Sequence, residues 1–147
     1  MFTTLRQAEA LTVSSLSVES GKSYQVVDNG LVNGAMVYID RGYTFSNVPA
    51  ALQGATYIKT ANDDKGSSSA TFLSFDVDED VTVYVDHDDA IGTRPSWLSS
   101  FSDTGDNLVT TDTTLSIFEG FFLAGTVTLG GNEGNGDSMY SVVIVKQ

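Results

Sequence analysis

Apolar residues come in short bursts along this chain and do not recur at a helical period. The stretches YQVV, AMVYI, ATYIKT, TFLSFDV, VTVYV, TLSIF, GTVTL and YSVVIV are rich in β-branched and aromatic residues, which suit a pleated, half-buried surface. No 3.6-residue period runs far enough to predict a long helix. Between the bursts lie DNG at 28–30, DRG at 40–42, NDDKGSSS at 62–69 and GGNEGNGDS at 130–138, all of which favour turns. Pro49 and Pro95 fall outside the clearest strands, where a missing N–H costs no ladder bond. Many short strands punctuated in this way predict an all-β fold, an antiparallel β-sandwich. A chain of 147 residues supplies one good core but is short for two, so residues 1–147 are expected to form a single domain.

Strand parity sharpens the expectation. Tyr57 to Ala61 should run into the NDDKGSSS loop, Thr71 to Val77 should return, and a tight turn at Asp78 to Asp80 should send Val81 to Asp86 back again. Antiparallel connections would then put NDDK and HDD at one end of the molecule. Within VTVYV, the side chains of Val81, Val83 and Val85 share the core face and those of Thr82 and Tyr84 the other. The acids of DVDED fall at the opposite end, as a solvated turn that discourages edge pairing. Phe72, Phe75, Phe118, Phe121 and Phe122 sit among apolar neighbours and read as core.

Charge narrows the choice of partner. Lys and Arg total 7 against 19 Asp and Glu, a formal charge of -12 that repels nucleic acid and anionic membrane surfaces. A neutral glycan meets no such barrier, whereas an anionic polysaccharide needs a local cationic patch or a bridging cation. With no Cys, the chain has neither a disulfide framework nor a thiolate nucleophile. Apolar runs such as SVVIVK are too short to cross a bilayer, and MFTTLRQAEA lacks the apolar centre of a signal peptide. An export signal for a module of a larger secreted protein would therefore lie outside these residues.

The shared end gathers Asn62, Asp63, Asp64 and Lys65 with His87, Asp88, Asp89, Arg94 and Trp97, including the single His and single Trp. Carboxylates, amides and Arg can meet sugar hydroxyls, and a flat indole can pack on the C–H face of a pyranose. In that reading Trp97 stacks on the sugar, Arg94 bonds a hydroxyl or carboxylate, and the Asp residues accept hydroxyl protons or hold calcium. The plainer reading makes Trp97 a hydrophobic plug, His87 a solvated loop residue and Arg94 half of a structural pair. Tyr38, Tyr43 and Phe45, around Arg41, form a second aromatic candidate. Calcium is the metal that carboxylates and loop carbonyls suit, although DHDD lacks the spacing of an EF-hand loop.

Catalytic signatures are missing. Ser96 and Ser99 lie near His87 in sequence, but no GxSxG turn presents either as a nucleophile. GGNEGNG lacks the Lys and the following helix of a phosphate-binding loop. Abundant Asp is not by itself a general acid and base pair. The chain reads as a non-enzyme.

Two stretches carry a family resemblance. QAEALTV, residues 7–13, resembles the opening strand of the galactose-binding-like jelly-roll modules of carbohydrate-binding families six and thirty-five, and GDSMYSVVIV, residues 136–145, is similar to their final strand. The resemblance implies a jelly-roll sandwich with a structural calcium ion held by Glu9 and Asp137. It implies a non-catalytic module that recognises a polysaccharide or oligosaccharide, fused to a catalytic or surface domain of a secreted or cell-surface bacterial protein. YI.TANDD, VYV.HDD, PSWL and GTVTLGGN also resemble accessory domains of bacterial polysaccharide-degrading enzymes and surface proteins. The alternative is a structural or adhesion β-sandwich with no ligand of its own.

Overall fold

The computed structural model describes residues 11–134 and 136–147. Among these residues ten strands form two antiparallel sheets: β1 (Val13–Val18), β2 (Gln25–Val27), β3 (Phe45–Asn47), β4 (Thr56–Lys59), β5 (Leu73–Val77), β6 (Val81–Asp88), β7 (Ser102–Thr110), β8 (Thr114–Phe122), β9 (Gly125–Leu129) and β10 (Ser141–Lys146). A three-stranded sheet has the order β1-β5-β9, and a seven-stranded sheet has the order β2-β4-β10-β6-β8-β7-β3. The chain crosses repeatedly between the sheets, as in a jelly roll.

The expected reversals occur, but their pairing differs. β5 lies in the opposite sheet from β4 and β6, so those connections are crossovers and not hairpins. β10 sits between β4 and β6 and runs antiparallel to both. The ends of β4 and β6 therefore fall on the same side, which is where the NDDK and HDD segments meet. AMVYI makes only isolated bridges, Met36 to Thr44 and Tyr38 to Thr60. β7, with the polar sequence SDTGDNLVT, is a strand that hydrophobic pattern alone does not reveal.

The two sheets are buried differently. β5 and β9 bury one face each, with Leu73, Phe75, Val77, Val127 and Leu129 inside. In the seven-stranded sheet Ile58, Val142 and Val85 share a row on one face, while Tyr57, Val143 and Tyr84 share the next row on the other. The three-stranded sheet covers the first face. The second is closed by residues 28–55, because the sheet curls until Phe45 of β3 meets Tyr57 of β4 edge to face at 5.3 Å. Sequence alternation follows: Val81, Val83 and Val85 are fully buried, and Thr82 is buried as well because its face is also covered. Of the five Phe residues assigned to the core, Phe121 is 70% exposed at the tip of β8, beside Leu123 at 79%.

Candidate functional site

The loop end assembles nearly all the residues expected there, and ties most of them into hydrogen bonds within the protein. Asn62 and Asp64 lie in a 3-10 turn that follows β4, and both are buried. The amide oxygen of Asn62 accepts the Met139 N–H at 2.8 Å. Asp64 accepts hydrogen bonds from the Tyr24 hydroxyl at 2.7 Å and Ser20 Oγ at 2.8 Å, with Lys22 Nζ at 3.2 Å. Burial first, and then the hydrogen bond to this carboxylate and its charge, shift the Tyr24 phenol strongly upward. Asp63 is exposed and pairs with Arg41 at 2.9 Å; the Arg41 hydrogen bond and charge lower its pKa.

β6 continues past its apolar run to Asp88, which carries His87 and Asp88 into the interior. His87 Nε2 lies 3.0 Å from the Asn132 carbonyl, and Nδ1 lies 2.8 Å from Arg94 Nη1. A carbonyl can only accept and a guanidinium can only donate, so the proton is on Nε2 and the ring is neutral. Burial lowers the His87 pKa, and the Arg94 charge adds to that effect. Asp88 accepts the Ala90 N–H at 3.0 Å, the Thr113 hydroxyl at 2.7 Å and the Ser138 N–H at 2.8 Å. Arg94 also donates to the Asp88 carbonyl at 2.9 Å and to the exposed Asp89 at 3.0 Å, and lies 5.1 Å from the centre of the Phe118 ring. Asp89 accepts from the Ser116 hydroxyl as well.

Trp97 is half-buried in the 3-10 turn Ser96–Ser100. Its indole N–H donates to the Gly131 carbonyl at 2.9 Å, and its ring meets Tyr140 and Phe101 edge to face at 5.9 and 6.0 Å. This is the plug expected in the plainer reading. In the second aromatic candidate, Tyr38 and Phe45 are buried and only Tyr43 is partly exposed.

Sequence reasoning missed the hub of this network. Asn132 is fully buried: its side-chain amide donates to the Lys65 and Ser138 carbonyls at 3.0 and 2.9 Å and accepts the Tyr140 N–H at 3.0 Å. The available signal was an amide directly after two glycines. A Cβ on Gly130 would lie 2.3 Å from the Trp97 ring, and one on Gly131 would lie 2.2 Å from the Ser67 carbonyl oxygen. Those glycines let the loop approach closely and aim Asn132 inward.

Of the expected calcium residues, Asp137 is half-buried and Glu9 lies outside the described residues. Among the described residues no group of three or more His, Cys, Asp or Glu side chains converges as a metal site.

No protein-family profile matches the chain. It is 27% identical over 116 residues to a β-glucuronidase of Formosa agariphila, an alignment that takes in 76% of this chain and 12% of that protein. Its fold superposes on a β-glucuronidase of glycoside hydrolase family 2 with a TM-score of 0.82 and 26% identity, over 90% of this chain and 14% of the other. The chain resembles a small part of a glycoside hydrolase. A GH138 enzyme targeting pectin rhamnogalacturonan II shares the fold, with a TM-score of 0.62 and 15% identity over 93% of this chain and 17% of that one. The chain thus spans only a minor fraction of each of these proteins.

Proposed function

We propose that this chain is a non-catalytic accessory β-sandwich of a carbohydrate-active protein, fused to a catalytic domain in its parent and recognising a polysaccharide or oligosaccharide. The observation that carries the reading is the superposition of 90% of the chain on 14% of a family 2 β-glucuronidase. A segment of that size beside so much other chain suits an accessory domain. The exposed Phe121 and Leu123 at the β8–β9 tip suit contact with an adjoining domain. Secretion or display at the cell surface follows from a polymeric substrate that cannot enter a cell.

In this proposal the buried rim residues Asn62, Asp64, His87 and Asp88 hold the loops, and glycan contact at the rim falls to the exposed Asp63 and Asp89 with Arg94. Kinship with carbohydrate-binding families six and thirty-five, and a calcium ion bound by Glu9 and Asp137, remain parts of the proposal resting on the sequence resemblance. Calcium is tested by thermal unfolding with chelator and with added calcium; an unchanged Tm removes it.

A glycan array with a reducing-sugar assay on every hit tests the function. Binding without hydrolysis is the expected result, and hydrolysis of a bound glycan would overturn the non-catalytic reading. The second reading, a scaffold without a ligand, is favoured by the internal bonding of His87, Asp88 and Trp97. An array with no hit would decide for it.

A further inference from the structure

The curled face of the seven-stranded sheet carries an open groove of about 410 Å³, away from the loop rim. Tyr84, Ile117 and Glu119 lie along the sheet, Leu52 and Pro49 form an apolar side, and Asp106 stands on the β7 side. Tyr84 and Glu119 are direct partners in the β6–β8 ladder, so their side chains are neighbours on one face. We propose that this groove binds a neutral, hydroxyl-rich glycan segment. The inference rests on the accessory-module reading and assigns it a site.

Backbone irregularity shapes the wall. The β7–β8 register shifts between Asp103 and Asn107, and Gly105 within that bulge has φ +82°. Thr104 Oγ1 stabilises the bulge by donating to the Ile117 carbonyl at 2.8 Å and accepting the Asp106 N–H at 3.1 Å. A bulge gives up ladder bonds and re-aims side chains. Here it falls at the stretch that carries Asp106, which lines the same groove as Tyr84 and Glu119. At the rim, the buried carboxylates are consumed by internal donors. In the groove, Glu119 and Asp106 form no ion pair among the described residues and their carboxylates accept no hydrogen bond there.

The ligand class follows from what this surface offers. Clustered negative charge repels uronates and phosphates. A shared divalent cation does not fit, since among the described residues no three acidic side chains converge on one point. Carboxylate acceptors beside a tyrosine ring and an apolar side match a polyol with hydroxyls on its edges and C–H groups on its face. A second feature lies one row along the same face. Asp86, two residues along from Tyr84 on the same face and opposite Ile117 in the ladder, is fully buried with both oxygens unpartnered. The hydroxyl of Ser141, its ladder neighbour on β10, is unpartnered too. Buried polar groups in folded proteins are normally satisfied, so the row of the sheet next to the groove retains hydrogen-bonding capacity.

The experiment titrates isotope-labelled full chain with cellohexaose, xylohexaose, mannohexaose and hexagalacturonate, following amide shifts and calorimetric affinity. The proposal expects a neutral hexaose to shift the amides of Tyr84, Thr104 and Glu119. Tyr84→Ala should weaken binding by roughly tenfold, as loss of one stacking ring would. Tyr84→Phe should retain most of the affinity, and Glu119→Gln should reduce it. Retained dispersion of the amide spectrum identifies variants that fold. Binding of a neutral hexaose that survives Tyr84→Ala overturns the groove while leaving the accessory-module reading intact. Preference for hexagalacturonate, or no binding by any of the three neutral probes, overturns it as well.

Discussion

The carboxylate of Asp88 accepts the backbone N–H of Ser138 at 2.8 Å, fixing the end of β6 to a loop 50 residues further along the chain. The Ser138 hydroxyl turns to Asp112, and the next residue, Met139, donates its N–H to Asn62. The segment that enters β10, the strand between β4 and β6, is thus held from both sides by side chains of the two strand ends it must join.

Asp88→Ala removes the acceptor of three donors, the N–H groups of Ala90 and Ser138 and the Thr113 hydroxyl, in a buried setting. Leaving buried donors unpaired costs about 1–3 kcal/mol each before relaxation. The variant should lose on the order of 3 kcal/mol of stability in urea unfolding, and Asp88→Asn should lose less because it keeps one acceptor oxygen. A change of less than about 0.5 kcal/mol in the Ala variant, the usual size for a surface substitution, would show that the latch does not hold the rim.

The sandwich was legible because strand signals such as VTVYV and SVVIV are local: β-branched residues with turns between them. The convergence of NDDK and HDD was legible from direction alone. What sequence could not give was depth. DHDD reads as a solvated loop, yet β6 extends through Asp88, and covering of both sheet faces buries side chains of either parity. β7 was hidden because its wall residues are polar and face an open groove, so no hydrophobic alternation marks them. Asn132 was hidden because the reason for its neighbouring glycines is a close approach to distant residues, Ser67 and Trp97.

Gly131→Ala tests that close approach. Its Cβ would lie 2.2 Å from the Ser67 carbonyl oxygen, a backbone atom that cannot swing aside as a side-chain tip could. The loop would have to move, disturbing the Glu133 N–H bond to the same carbonyl at 2.9 Å and the Trp97 bond to the Gly131 carbonyl. Overpacking of this kind costs about 1–3 kcal/mol. The expected signature is a lower Tm together with altered emission of the single tryptophan; unchanged stability and emission would refute the packing argument.

His87 should make the protein sensitive to mild acid. Burial first, and then the Arg94 charge, lower its folded-state pKa below that of the unfolded chain, roughly 6.5. Its contribution to stability is therefore complete above that value and is lost as pH falls through the folded pKa, because the unfolded state takes up the proton first. Protonation would place hydrogen on Nδ1, which faces Arg94 Nη1 at 2.8 Å. Arg94→Ala should soften the acid-side loss without abolishing it. Chemical denaturation of both proteins from pH 7.5 to 5 checks this, and parallel stability curves would refute the coupling.

Asp86 should act in the opposite direction. Burial raises its pKa well above the ordinary carboxylate value, and no donor or cation among the described residues offsets that effect. The folded state thus holds the proton over a pH range in which the unfolded chain, with a pKa of about 3.9, has released it. The contribution is fully present below that value and is lost as pH rises toward the folded pKa, at a slope of about 1.4 kcal/mol per pH unit between the two. Asp86→Asn has similar shape and no ionisation. Its stability relative to the parent should be lowest near pH 4 and should improve as pH rises toward the folded-state pKa of Asp86. Measuring the difference between the two proteins at each pH cancels the His87 contribution, which both retain. A difference that stays flat from pH 4 to 8 would mean that Asp86 is solvated or partnered in solution.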